Sequence, residues 1–401
     1  MRLKVTVVTS IFPIPAQPYR GHSEYQILLA LSKHADVNVI CPFPRYPKWF
    51  QPTFDYRQPD LSYSPPGVAT RYFEYPVLPG LTRCINGLVC ASYLEPYLRE
   101  CMPDVACNFW LYPEGYATVE VARRLGIPAV ICSIGSDLNR IPDPASRWLT
   151  RRAMKRAAFV ITKGEYLRQQ AIRMGINACK VRNVPNGCDP SVFHLANRSA
   201  ARAQLGVEDE AEVVLFVGRL DPQKGIVELI QAFASLVSRR PNLRLVYVGD
   251  GPGGEQLRSI ARDLVLEDRI QLVGACPSRK VAQWLAAANV LALPSYAEGC
   301  PNVVIEALNC GRPVIATNVG GIPALVDEKS AILIAPRDWR VLAGAIKIAM
   351  ERKWDELIIS HEFRRGWDDA AGEFLSVFES VVQQGSKKWQ PQAKGTTVMS
   401  Q

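Results

Sequence analysis

Along the chain, short runs of apolar, often β-branched residues alternate with longer stretches in which apolar positions recur every third or fourth residue. The runs at 3–8, 37–41, 105–109, 129–132, 159–162 and 181–184 are too short for helices and read as buried strands. Between them, 23–34, 85–100, 115–125, 145–157 and 165–174 carry helical periodicity. A second series opens at 213–217 and continues with strands at 243–248, 270–273, 290–293, 313–316 and 332–334. Its first helix, 226–237, places Ile226, Leu229, Ile230, Phe233 and Val237 on one face. Strand and helix alternating twice over predict an α/β fold with two doubly wound, Rossmann-like domains, their parallel sheets buried on both sides. The predicted division is 1–190, 191–350, helices at 351–384 packing back toward the first domain, and a polar tail at 385–401.

One stretch breaks the rhythm. Proline, tyrosine and phenylalanine crowd 42–80, which predicts a long excursion with at most short edge strands. Trp49 and Phe50 stand in it at an exposed turn.

Composition narrows the class. The chain is 48% hydrophobic and 21% charged, which excludes a disordered chain, a fibre or a small disulfide scaffold. Eleven cysteines without a C-x-x-C pair imply reduced thiols in a cytoplasmic compartment. No apolar signal core follows the first residues, and no run approaches the roughly 20 apolar residues of a spanning helix, so a soluble protein is expected. Charge is uneven. Residues 1–190 hold 23 Lys+Arg against 14 Asp+Glu, whereas 191–401 hold 24 against 24. Nucleic acid, an anionic bilayer, an anionic substrate or a merely basic surface each account for that excess. No nucleic-acid module accompanies it, and no nucleic-acid partner is expected. The basic helix at 145–157, with Arg147, Arg151, Arg152, Lys155 and Arg156, supplies a candidate bilayer-facing patch or an ordinary solvated face.

Chemistry concentrates in the second half. Segment 217–225, Val-Gly-Arg-Leu-Asp-Pro-Gln-Lys-Gly, falls where a strand ends and a helix starts, the edge at which open α/β sheets bind ligands. Gly218 and Gly225 allow a tight turn there. Arg219 and Lys224 set two cations beside a helix N-terminus, which suits a diphosphate as well as it suits a solvated turn. It is no Walker A loop, because the lysine precedes its glycine and no Ser or Thr follows. Segment 295–307, Ser-Tyr-Ala-Glu-Gly-Cys-Pro-Asn-Val-Val-Ile-Glu-Ala, places Glu298 in a loop and Glu306 inside a helix opened by Pro301. Such carboxylates accept pairs of hydroxyl hydrogen bonds from a sugar, or merely sit near a helix dipole. Gly249-Asp-Gly-Pro-Gly-Gly254 matches G-x-G-x-x-G, yet it follows the second strand of its domain and lacks the distal acidic partner. A structural turn is the better reading. His22, His34, His194 and His361 show no metal-ligand spacing, and no cofactor or metal is expected.

Gly218-Arg-Leu, Lys224-Gly225, Glu298 and Glu306 together resemble the family 4 retaining glycosyltransferases. The likeness extends to Asn-Val-Pro-Asn-Gly-Cys-Asp at 183–189, Asn-Val-Gly-Gly-Ile-Pro at 318–323, Trp-Leu-Tyr-Pro-Glu-Gly at 110–115 and Gly-Ser-Asp at 135–137. The last two are similar to members that build capsular, exopolysaccharide or teichuronic-type polymers. The resemblance implies a GT-B fold, two Rossmann-like domains facing across a cleft, and a UDP- or GDP-sugar donor used without a metal. Carried over, Arg219 and Lys224 would neutralise the diphosphate and Glu298 would orient the donor sugar. Gly299, Cys300 and Pro301 would offer backbone contacts, and Glu306 would bind the ribose. Gly21 matches the first glycine of the loop that closes over the diphosphate. His22, Asp137 and Asn186 would line the acceptor side. The implied acceptor is a lipid-linked or polymeric glycan at the cytoplasmic membrane face. Two departures stand out: His22 replaces the family's second glycine, and Ile134 stands where many members have a histidine. A sugar-nucleotide epimerase of the same architecture, or a binding protein that has lost catalysis, are the alternatives.

Overall fold

In a computed structural model of the chain, residues 2–47, 49–50, 60–78, 82–139, 141 and 143–388 are described. The first sheet contains β1 (Lys4–Val8), β2 (Asp36–Arg45), β3 (Ala69–Pro76), β4 (Val105–Phe109), β5 (Ala129–Ser133), β6 (Phe159–Thr162) and β7 (Val181–Asn183), in the order 3-2-1-4-5-6-7. The second contains β8 (Glu212–Val217), β9 (Leu243–Val248), β10 (Ile270–Gly274), β11 (Val290–Leu293), β12 (Val314–Thr317) and β13 (Ala331–Ile334), in the order 10-9-8-11-12-13. Every pairing within the two sheets is parallel. Each order reverses once, between β1 and β4 and between β8 and β11, and such switch points open a crevice at the carboxyl ends of the strands.

The excursion at 42–80 is more regular than its composition suggests. β2 runs on to Arg45 and carries β3 beside it over eight paired positions. Two prolines are tolerated inside β2 for a reason of register. The Thr9 N–H donates to the Ile40 carbonyl, so Ile40, Pro42 and Pro44 face the β1 side of the strand. β1 ends at Val8, and the missing N–H groups of Pro42 and Pro44 therefore point past its end, where no ladder bond is lost. In and just after this excursion, residues 48, 51–59 and 79–81 lie outside the described residues, as does 389–401 of the expected polar tail; the last helix itself continues to Lys388.

The first sheet has a core on each face. Val5, Val7, Cys107 and Phe109 meet the helix His22–Ser32 and the C-terminal helix Trp367–Lys388 on one side. Val8, Ala106 and Ile131 meet Asn86–Cys101, Tyr116–Leu125 and Pro144–Arg156 on the other. The second domain has one large core, with Val213, Leu215 and Ile315 at its centre and Trp284 fully buried. The chain crosses between domains twice, and the crossings lie against each other. Cys188 N–H donates to the Arg365 carbonyl, and Trp367 N–H donates to the Cys188 carbonyl. After the second crossing the C-terminal helix packs on the first domain, with Phe374 and Phe378 in its core.

Candidate active site

The turn after β8 and the loop after β11 are braced against each other at the second switch point. Pro222–Lys224 forms a short 3-10 turn opened by Asp221, whose carboxylate accepts from the Gln223 N–H at 2.9 Å. Gly225 follows at φ +69 and starts the helix Ile226–Ala234; a Cβ there would lie 2.1 Å from the Pro294 carbonyl oxygen. Tyr296 N–H donates to the Gln223 carbonyl at 2.9 Å, and the Tyr296 hydroxyl donates to Glu228 at 2.5 Å. Across this brace, Lys224 Nζ lies 2.7 Å from Glu298 Oε1, which also accepts from Ser295 Oγ at 2.7 Å. Arg219 is exposed at the end of β8, just past Gly218. Behind it, Gly249 abuts the Gly218 carbonyl so closely that a Cβ would sit 1.9 Å away, which gives the Gly249–Gly254 segment a structural role.

Glu306 lies on the helix Asn302–Asn309, which starts one residue later than expected because Pro301 is its extended cap rather than its first residue. Burial pushes the Glu306 carboxyl up to about 7. Glu298 is held from its other side as well. Gly320, at φ +57, would put a Cβ 1.8 Å from the Glu298 carbonyl oxygen, so only glycine lets the two loops meet. The loop therefore has its side chain fixed by Lys224 and Ser295 and its backbone fixed by Gly320.

The first domain meets this wall through backbone. Gly164 and Gly135, at the ends of β6 and β5, lie against Gly299, and Gly164 also touches Gly321. Ile134 sends its side chain into the first domain's core while its carbonyl approaches Gly299, so the departure from the family's histidine is filled by packing. Gly21 adopts φ +60 beside the Ile11 carbonyl and caps the helix His22–Ser32. The His22 ring turns toward Trp367, centroids 6.5 Å apart, and desolvation lowers its imidazole pKa. Asp137 is a structural anchor rather than a free acceptor-side group. It is buried and accepts from Leu111 N, Ser133 Oγ, Ile134 N and Gly135 N. Asn186, also buried, donates through Nδ2 to Asn302 Oδ1 at 2.8 Å.

Among the buried ionisable groups to which the motifs assign no role, which include Glu24, Arg202 and Arg312, Lys163 and Glu114 stand close to strand ends. Lys163, directly after β6, is 1% exposed, with Nζ 4.6 Å from the Phe374 ring centroid and burial lowering its pKa. Glu114, inside the Trp110–Gly115 segment, is pushed up to about 7 by burial. Both follow strand ends, a positional signal that their apolar neighbours conceal. The basic helix, by contrast, offers less free charge than its sequence suggests. Arg156 lies 2.5 Å from the buried Glu120, Arg152 lies 3.8 Å from the same carboxylate, and Arg151 Nε donates to the Met174 carbonyl. Arg147 and Lys155 remain exposed, and Trp148, 58% exposed, has the Arg152 guanidinium 5.3 Å from its ring centroid.

Comparison with known proteins agrees with this geometry. Residues 25–192 match the model of Glycosyltransferase Family 4, and residues 197–371 match Glycosyl transferases group 1. A Mycobacteroides abscessus D-inositol 3-phosphate glycosyltransferase is 30% identical over 72% of this chain and 70% of its own length. A Bacillus subtilis protein named for teichuronic acid biosynthesis, glycosyltransferase TuaC, is 29% identical over 86% of this chain and 88% of its own. Among solved structures, Anabaena HepE in complex with UDP superposes with a TM-score of 0.68 at 20% identity, covering 96% of this chain and 99% of that one. The lipopolysaccharide outer core galactosyltransferase WaaB superposes with a TM-score of 0.70 at 17% identity over 94% of this chain and 99% of its own. With two parallel-sheet domains apposed at their carboxyl edges and both family models matched, the chain belongs to glycosyltransferase family 4 and has the GT-B fold.

Proposed function

We propose that this chain is a metal-independent, retaining hexosyltransferase. It moves a sugar from a UDP- or GDP-linked donor to a lipid-linked or polysaccharide acceptor at the cytoplasmic face of the membrane. The observation that carries the reading is the Lys224–Glu298 brace at the switch point of the second sheet, beside the N-terminus of the helix Ile226–Ala234. A donor diphosphate laid there meets two cations, Arg219 and Lys224, and the positive end of a helix. Glu298 then accepts hydrogen bonds from the sugar, and Glu306 from the ribose. The names of similar proteins point the same way: TuaC to a polymeric glycan, and the HepE complexes to UDP and UDP-glucose.

In the proposed reaction, the bond between the sugar's anomeric carbon and the diphosphate oxygen breaks, leaving the electron pair on that oxygen. The acceptor oxygen bonds to the anomeric carbon on the same face, and its proton passes to the departing phosphate. Negative charge on the leaving group is greatest in the transition state, where Arg219 and Lys224 stabilise it most. No metal is needed for that task when two side-chain cations supply the charge. The test is incubation with a panel of sugar nucleotides and glycan acceptors in excess EDTA, followed by product analysis. Transfer with the donor's anomeric configuration preserved supports the proposal. Isomerised sugar nucleotide without release of nucleoside diphosphate overturns it in favour of an epimerase, and inversion overturns the retaining mechanism.

A further inference from the structure

Where Gly135 and Gly164 meet Gly299 and Gly321, the seam between the domains is glycine backbone, which brings surfaces close but supplies no directional bond. A hydrogen-bonded chain among the described residues runs across it. Asn302 Nδ2 donates to Ser23 Oγ at 2.8 Å, and Asn302 Oδ1 accepts from Asn186 Nδ2 at 2.8 Å. The Asn186 N–H donates to Cys300 Sγ at 3.4 Å, and its carbonyl accepts from Arg365 Nε at 2.9 Å. Each link belongs to a different part of the molecule. Ser23 follows Gly21 and His22 at the start of the first domain's helix, and Asn302 opens the helix that carries Glu306. Asn186 lies in the first crossing between domains and Arg365 in the second.

We infer that Asn302 is a positioning residue, the amide that holds the two domains in register and keeps the Gly21 loop over the donor helix. Its role follows from having two ends of opposite polarity, both engaged. If both asparagine amides are turned over, the Ser23 hydroxyl becomes the donor and the chain still runs through Asn302. A hydrogen bond of this kind, half-open to water, shifts an equilibrium by about five- to tenfold. It is therefore strong enough to favour the closed register and weak enough to release at each turnover. That consequence for the donor rests on the function proposed above; the latch itself does not.

The experiment uses the full chain without nucleotide, so a failed donor assignment leaves it intact. Wild type, Ser23→Ala, Ser23→Thr and Asn302→Ala are compared by small-angle scattering and by amide hydrogen exchange at 21–24, 186, 300 and 302. Ser23→Ala and Asn302→Ala are expected to show a larger radius of gyration and exchange about five- to tenfold faster at those positions. Ser23→Thr, which keeps the hydroxyl, is expected to match wild type. Should Asn302→Ala not fold, Ser23→Ala decides alone, because its hydroxyl lies at the half-open seam. Scattering and exchange unchanged in Ser23→Ala would overturn the proposal. So would a Ser23→Thr variant as open as Ser23→Ala.

Discussion

Lys224 Nζ and Glu298 Oε1 lie 2.7 Å apart, joining the turn after β8 to the loop after β11. The pair neutralises itself while no phosphate competes, so the site holds a cation at the place where leaving-group charge would develop without exposing it fully to water. Lys224→Ala and Arg219→Ala are each expected to lower kcat by about 100- to 1,000-fold, the range for loss of one transition-state electrostatic contact. Steady-state kinetics on folded protein checks this, and activity within a few-fold of wild type in either variant would remove the diphosphate role.

Glu306 should impose a pH dependence on nucleotide binding. Its carboxyl ordinarily titrates near 4.5, and burial pushes it up to about 7. Between those values the folded chain keeps a proton that the unfolded chain has released. The contribution of this group to stability is therefore largest below 4.5 and declines as pH rises through 7. A ribose diol needs the ionised acceptor, so affinity for UDP should rise about five- to tenfold from pH 6 to pH 8. The terminal phosphate of UDP ionises over part of the same range. The informative comparison is thus with Glu306→Gln, in which the rise should be visibly smaller; equal slopes would sever Glu306 from the ribose.

Gly320→Ala is expected to damage the site from outside it. The new methyl would start 1.8 Å from the Glu298 carbonyl oxygen, and the φ of +57 is itself strained for alanine. Loss of about 1–3 kcal/mol of stability should accompany a large fall in turnover. A variant with wild-type melting temperature and activity would show that the Glu298 loop is not held by this contact.

The basic helix separates into structural and free cations. Arg156→Ala and Arg152→Ala leave Glu120, whose side chain is 8% exposed, with fewer partners, and each should cost about 1–2 kcal/mol in thermal unfolding. Arg147 and Lys155 carry no such penalty. If the first domain docks on an anionic bilayer, wild type should sediment with anionic vesicles at low salt and dissociate as salt rises. Replacing Arg147 and Lys155 by Gln should weaken that binding without lowering the melting temperature, whereas Trp148, whose ring lies 5.3 Å from the Arg152 guanidinium, is left in place. Wild type that ignores such vesicles would return this face to solvation or to an anionic glycan.

Much of this molecule was legible in the order of its residues. Strands such as 105–109 and 290–293 are runs whose length and branching leave little choice, and the segments at 218–225 and 298–306 announce their position at strand ends. What stayed hidden depends on partners far apart in sequence. Pro42 and Pro44 sit inside a strand because β1 happens to end at Val8, which periodicity cannot reveal. Asp137 looks like a cleft carboxylate until its four hydrogen bonds to the surrounding turn are seen. The charge of the helix Pro144–Arg156 looks free until Glu120, on another helix, claims two of its arginines. Asn302 is an ordinary residue after a proline until Ser23, 279 positions earlier, closes on it.

The most direct measurement is calorimetric titration of the full chain with UDP, GDP and ADP, in wild type, Lys224→Ala, Glu306→Gln and Glu298→Gln. The expected result is binding of at least one nucleotide by wild type, weakened about tenfold or more in Lys224→Ala and Glu306→Gln. Glu298→Gln should bind the bare nucleotide at least as well as wild type, because its assigned partner is the absent sugar and Lys224 no longer has a carboxylate competing with the diphosphate. Wild type that binds none of the three, or a Lys224→Ala variant that binds as tightly as wild type, would contradict the donor site described here.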